Sequence, residues 1–93
     1  MIEVNEYFDG KVKSLSLKTE TLPATVGVML PGEYVFNTGE KEKMTVVSGA
    51  LKIRLSDDAE EITYAEGESF SVAENSTFNV HVESETAYLC VYG

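Results

Sequence analysis

The stretch Pro31-Gly32-Glu33-Tyr34-Val35-Phe36-Asn37-Thr38-Gly39-Glu40-Lys41-Glu42-Lys43-Met44-Thr45-Val46-Val47-Ser48-Gly49-Ala50-Leu51-Lys52-Ile53-Arg54-Leu55 decides the fold. Pro-Gly opens it with a tight turn, because Pro presets φ and Gly accepts positive φ. Glu33 to Thr38 then reads as a strand with Tyr34, Phe36 and Thr38 on one face. Gly39 to Lys43 is a charged corner. Met44 to Ser48 is a second strand, ended by Gly49. Leu51, Ile53 and Leu55 alternate with Lys52 and Arg54, the period-two pattern of a half-buried strand. Glu40 to Met44 has room for one helical turn, but the β-branched run Thr45-Val46-Val47 stops it from growing.

The same punctuation runs outward in both directions. Upstream, Asp9-Gly10 turns into a first strand at Val12 to Leu17, and Ala24 to Leu30 is a small and apolar run. Downstream, Asp57 to Glu61 is an acidic loop and Ile62 to Tyr64 a short strand. Glu66-Gly67 turns, and Phe70 and Val72 share a face. Glu74-Asn75-Ser76 turns again, Phe78, Val80 and Val82 alternate with polar neighbours, and Ala87 to Tyr92 closes the chain. About nine short strands with regular turn signals and no sustained helical period predict an all-β domain, a sandwich, jelly roll or small barrel. The 93 residues suit one domain spanning 1–93.

Composition narrows the function. The formal charge is −9, from 16 acidic and 7 basic residues. Nonspecific nucleic-acid binding needs a basic face, and so does an anionic membrane surface; neither partner is expected. A protein this acidic that handles phosphate must gather cations or backbone N–H groups locally. Cys90 is the sole cysteine, so an internal disulfide and a Cys-rich zinc site are excluded. Within Tyr88-Leu89-Cys90-Val91-Tyr92 it reads as a small buried hydrophobe. Residues 1–6 lack a basic n-region and an apolar h-region, and no segment approaches 18 apolar residues, so a cytoplasmic protein is expected. In that setting Asn75-Ser76-Thr77 is a chance match to a glycosylation acceptor.

Two glycine-bounded segments resemble the cupin motifs. In the first motif a Gly precedes His-x-His on a strand, then a Glu, then six residues and a hairpin Gly. Glu42 and Gly49 keep that last spacing, which puts Phe36 and Thr38 at the His positions. In the second motif, counting from Gly67 puts Ala73 at the usual Pro, Asn75 at the turn Gly and Phe78 at the His. Asn tolerates the left-handed conformation that such a turn needs. The resemblance therefore implies a single-domain, jelly-roll-like cupin β-barrel whose usual ligand positions are Phe36, Thr38, Glu42 and Phe78. Phe has no donor atom, so no metal is expected there. His81 lies on the face opposite Phe78.

The whole chain is also similar to a family of small cupin-type pyrimidine/purine nucleoside phosphorylases. The stretches that carry the likeness are Asn5-Glu6-Tyr7-Phe8, Gly10-Lys11-Val12-Lys13-Ser14, Val26-Gly27-Val28-Met29 and Gly32-Glu33-Tyr34 with Phe36 and Thr38. Met44-Thr45-Val46, Ser48-Gly49-Ala50-Leu51 and Tyr88-Leu89-Cys90 complete it. The resemblance implies a homodimeric, metal-independent enzyme that splits diverse nucleosides with phosphate into free base and ribose 1-phosphate, with no cofactor beyond that co-substrate.

Phosphorolysis places positive character on the sugar C1′ as the base departs. It calls for a wall for the base, groups on the ribose hydroxyls and an anion cradle. A broad base range favours an aromatic wall, since every base presents a π-face; Tyr34, Phe36 and Phe78 are the candidates. Glu42 is the candidate for gripping ribose or stabilising the cationic transition state, with Glu40 as its substitute. Thr38 and Ser48 are candidates for hydroxyl or phosphate contacts. Among the cations, Lys13 and Arg54 are the phosphate candidates, although alternation puts Arg54 opposite Leu51, Ile53 and Leu55. Two other readings stand beside this one: a cupin dimer that binds a small ligand without turnover, and a metal-dependent cupin using Glu42 and His81. Phosphate-dependent base release separates the first from the enzyme; metal content and activity in chelator separate the second.

Overall fold

The structure, a computed structural model, describes residues 1–93. It contains ten strands: β1 (Val4–Tyr7), β2 (Val12–Lys18), β3 (Pro23–Met29), β4 (Gly32–Asn37), β5 (Glu42–Ser48), β6 (Ala50–Arg54), β7 (Ile62–Ala65), β8 (Ser69–Val72), β9 (Thr77–Val82) and β10 (Thr86–Tyr92). No helix forms that could cross a membrane. The expected helical turn at Glu40 is a bend, and β5 begins at Glu42. The strand missing from the sequence reading is β1. It pairs only with β2, Val4 facing Leu15 and Tyr7 facing Val12, and its side chains are mostly exposed. An edge strand with little to bury carries no alternation.

The strands make two antiparallel sheets, ordered β1-β2-β3-β10-β5-β8 and β4-β9-β6-β7. They pack face to face as a jelly roll and are not hydrogen-bonded into one closed barrel. Between them lies a core that includes Met29, Val46, Leu51, Ile53, Val80 and Val82, each no more than 1% exposed. Alternation explains the four-stranded sheet: Leu51 and Ile53 point in, while Lys52 and Arg54 point out.

The six-stranded sheet reverses the usual pattern along β2. Ser14 is buried, yet Leu15 and Leu17 are 46% and 43% exposed. The outward leucines belong to a row that crosses the sheet, Leu15 opposite Val26 and Val26 opposite Leu89. The inward positions of the same strands carry Ser14, Thr25, Tyr88, Cys90 and Tyr92.

Two turns hold this frame. Gly49 joins β5 to β6 at φ +95, and a Cβ there would stand 2.5 Å from the Thr86 hydroxyl. That hydroxyl, fully buried, donates to the carbonyls of Ala50 and Ser84 and accepts from the Ala50 N–H. Thr38, just past β4, donates its hydroxyl to the Ala73 carbonyl at 2.7 Å and accepts from the Ser76 N–H at 2.8 Å. It so ties β4 to the β8–β9 turn, where Asn75 takes φ +51.

Candidate functional site

A cavity of about 110 Å³ opens between the sheets. Its two walls differ in chemistry because they come from different sheets. Phe36 on β4 and Phe78 on β9 sit opposite each other in register and stack with centroids 5.7 Å apart. Ser14, Met29, Glu42, Met44, Tyr88, Cys90 and Tyr92 form the other wall, from β2, β3, β5 and β10. Exposed Tyr7 and Asn37 stand at its rim. The volume is below the roughly 300–1,000 Å³ of sites that enclose a drug-sized ligand. It therefore takes one part of such a molecule and leaves the rest at the open mouth.

Glu42 is half-buried at the start of β5, and the strand's alternation turns it inward while Lys43 points out. Burial raises its carboxyl above the ordinary 4.5, and the Cys90 thiol partly offsets this by donating to Oε1 at 3.4 Å. Burial and the facing carboxylate push the Cys90 thiol up to about 12. Burial likewise pushes the Tyr88 phenol up to about 12. Both remain neutral, protonated groups at any working pH. The Tyr92 hydroxyl pairs with Thr25 Oγ1 at 3.2 Å.

Gly27 explains how Tyr88 fits. A glycine inside a strand costs roughly 0.5–1 kcal/mol relative to alanine, so its place in the middle of β3 needs a reason. A Cβ at Gly27 would stand 2.6 Å from the Tyr88 hydroxyl and 2.7 Å from the Lys13 carbonyl. Tyr88 is paired with Gly27 across the strands, and its phenol lies in the notch that the missing side chain leaves.

Of the residues expected at the site, Glu42, Phe36 and Phe78 meet in this cavity. Tyr34 does not line it. It is buried beside Phe36, with its hydroxyl donating to the Leu30 carbonyl at 2.6 Å and Phe8 packed on its ring at 4.9 Å. The Thr38 hydroxyl is committed to the β8–β9 turn. Glu40 and Ser48 are exposed. Lys13 points outward, 4.0 Å from Glu6. Arg54 is on the outer face of the other sheet, donating to the Ala59 carbonyl at 2.6 Å, and His81 shares that face. No lysine or arginine lines the cavity.

Sequence reasoning missed Tyr7, Ser14, Met29, Asn37, Met44, Tyr88, Cys90 and Tyr92 as lining. Gly27 was the signal available for Tyr88, a strand-interior glycine of the kind that marks a close approach. The donor set offers little to a transition metal. Glu42 and Cys90 are the only carboxylate and thiol in the cavity, the thiol holds its proton, and no group of three His, Cys, Asp or Glu converges anywhere in the chain.

Comparison with known proteins gives four matches. A sequence model of pyrimidine/purine nucleoside phosphorylases matches residues 2–92. A relative from Hahella chejuensis named pyrimidine/purine nucleoside phosphorylase is 53% identical over the whole of both chains. Among solved structures, a protein of unknown function from Vibrio parahaemolyticus superposes with TM-score 0.95 at 49% identity, covering 100% of this chain and 99% of its own. An RmlC-like cupin from Shewanella frigidimarina shares the fold at 19% identity, with TM-score 0.77 over 99% of this chain and 83% of its own.

Proposed function

The chain belongs to the pyrimidine/purine nucleoside phosphorylase family, and we propose that nucleosides are split by inorganic phosphate in the cavity between its sheets. The observation that carries this reading is the pairing of a stacked aromatic wall with a hydroxyl- and carboxyl-bearing wall. A base lies on Phe36 and Phe78 through its π-face, which purines and pyrimidines share. The ribose then faces Ser14, Glu42 and Tyr88. As the C1′–N bond breaks, its electron pair leaves with the base and positive charge develops at C1′. The Glu42 carboxylate stabilises that charge in surroundings drier than water, where the interaction is stronger. A phosphate oxygen bonds to C1′, and the proton of hydrogen phosphate passes to the base. The products are free base and ribose 1-phosphate.

No metal takes part in this reading, because the groups that meet the substrate are a carboxylate, neutral hydroxyls and rings. The apolar outer row of Leu15, Leu17, Val26 and Val28, each 43–46% exposed, supports a homodimer in which a second copy covers it. A partner that brings Lys13 or Arg54 to the mouth supplies the phosphate-binding cation that the cavity's own lining lacks. The setting is the cytoplasm.

The test is incubation of the purified protein with uridine and with inosine, with and without phosphate, following free base and ribose 1-phosphate by chromatography. Base release that requires phosphate and persists in chelator is expected. No release from a wider nucleoside panel would replace the enzyme with a cupin that binds a small ligand without turnover.

A further inference from the structure

We propose that the Tyr88 hydroxyl donates its proton to a hydroxyl of the substrate's ribose, so that this one phenol decides which sugars the cavity accepts. The inference rests on the phosphorylase reading above and deepens it. Three observations support it.

The first is the polar row in which Tyr88 stands. Asn5 on β1 donates its amide N–H to Ser14 Oγ at 3.3 Å and to Ser16 Oγ at 3.0 Å. Ser14, Gly27 and Tyr88 stand in one row across β2, β3 and β10, so the phenol reaches over Gly27 toward Ser14. The Tyr88 hydroxyl makes no hydrogen bond with the protein, whereas the Tyr34 and Tyr92 hydroxyls meet the Leu30 carbonyl and Thr25. A buried hydroxyl with an uncommitted proton beside a cavity is a donor aimed at a ligand.

The second is placement. Tyr88 is only 5% exposed yet lines the cavity, on the wall opposite Phe36 and Phe78. A base stacked on those rings turns its sugar toward the phenol. Gly27 fixes where the hydroxyl stands, since any side chain there would displace it. The third is charge state. Burial keeps the phenol protonated, with its value pushed up to about 12, so it donates throughout the working range. Tyr92 differs in that its hydroxyl is already hydrogen-bonded to Thr25 Oγ1.

A donor committed to a substrate hydroxyl discriminates sharply, because an analogue lacking that hydroxyl leaves it unpaired. The experiment measures kcat/KM for uridine and for its 2′-deoxy, 3′-deoxy and 5′-deoxy analogues, in the wild-type protein, Tyr88→Phe and Ser14→Ala. The wild type should prefer uridine over one analogue by about ten- to hundredfold. Tyr88→Phe should lose about that factor on uridine and remain within about twofold of wild type on that analogue. Ser14→Ala, which keeps the phenol and removes the hydroxyl across Gly27 from it, should show the same pattern more weakly. It also carries the test if Tyr88→Phe does not fold.

Two results would overturn the proposal while leaving the enzyme in place. One is a Tyr88→Phe protein that cleaves uridine like wild type. The other is an equal loss on uridine and all three analogues, which would assign the hydroxyl to phosphate, base or packing. In a Ser14→Ala protein tested alone, unchanged discrimination would overturn it equally. A wild type that releases base from none of the four substrates would sink the phosphorylase reading itself, and this inference with it.

Discussion

Glu42 is a carboxyl whose surroundings disfavour its charge, and that has consequences for both stability and rate. Its folded-state value lies above the ordinary 4.5. The folded protein thus holds this proton more tightly than the unfolded chain does. The resulting stability is fully present below about pH 4.5 and is lost as pH rises through the raised value. Glu42→Gln, a neutral mimic, should match wild type in unfolding experiments at pH 4 and exceed it at pH 7. The same substitution should lower kcat/KM by about 10²–10³-fold, and the wild-type acid limb should fall above pH 4.5 because the carboxylate is the working form. Cys90 offers a check on the surroundings of this carboxyl. A thiol moved from 9.0 to about 12 should alkylate on the order of a thousandfold more slowly at pH 8 than the same thiol in the unfolded chain, as timed with iodoacetamide and mass spectrometry. Glu42, Phe36 and Phe78 were legible in the sequence, because motif spacing survives the loss of the ligands themselves. Ser14 and Tyr88 were not. Nothing in Tyr88-Leu89-Cys90 says which alternate positions face in when both sets can be buried.

At the scale of elements, the strands with one polar and one apolar face were legible, and β6 is the clearest. In β2, past the buried Val12, the leucines face out and the serines face in, so hydrophobicity does not mark the interior. In β1 there is too little burial for any pattern. Hairpins were read more safely than faces, because glycine at positive φ is a local demand. The β5–β6 hairpin shows how strict it is. Gly49→Ala would place a Cβ 2.5 Å from Thr86 Oγ1 and 3.0 Å from the Glu85 carbonyl, on a backbone that L residues avoid. A destabilisation of about 2–4 kcal/mol is expected in urea titration. Thr38→Val should also act on stability, costing about 1–3 kcal/mol by leaving the Ser76 N–H and the Ala73 carbonyl without their partner. The surviving folded protein should keep its kcat.

The whole molecule exposes an apolar face on one sheet and a charged one on the other. Leu15, Val26 and Leu89 lie in one row across the first; Lys52, Arg54, Glu33 and His81 lie on the second. Only the first needs covering. Val26→Lys should therefore convert a dimer to a monomer by light scattering after gel filtration, with the far-UV spectrum unchanged. A monomeric wild type at micromolar concentration would remove the dimer from the proposal. The two-sheet origin of the cavity walls also bears on how such a protein can change. Strands β4 and β9 set what lies on the aromatic side, while β2, β3, β5 and β10 set the side that carries Ser14, Glu42 and Tyr88, and the two groups share no hydrogen-bonded pairing. Mutational libraries at Phe36 and Phe78 can thus explore new leaving groups while the bond-breaking apparatus is inherited untouched, so diversification of one half need not begin by damaging the other.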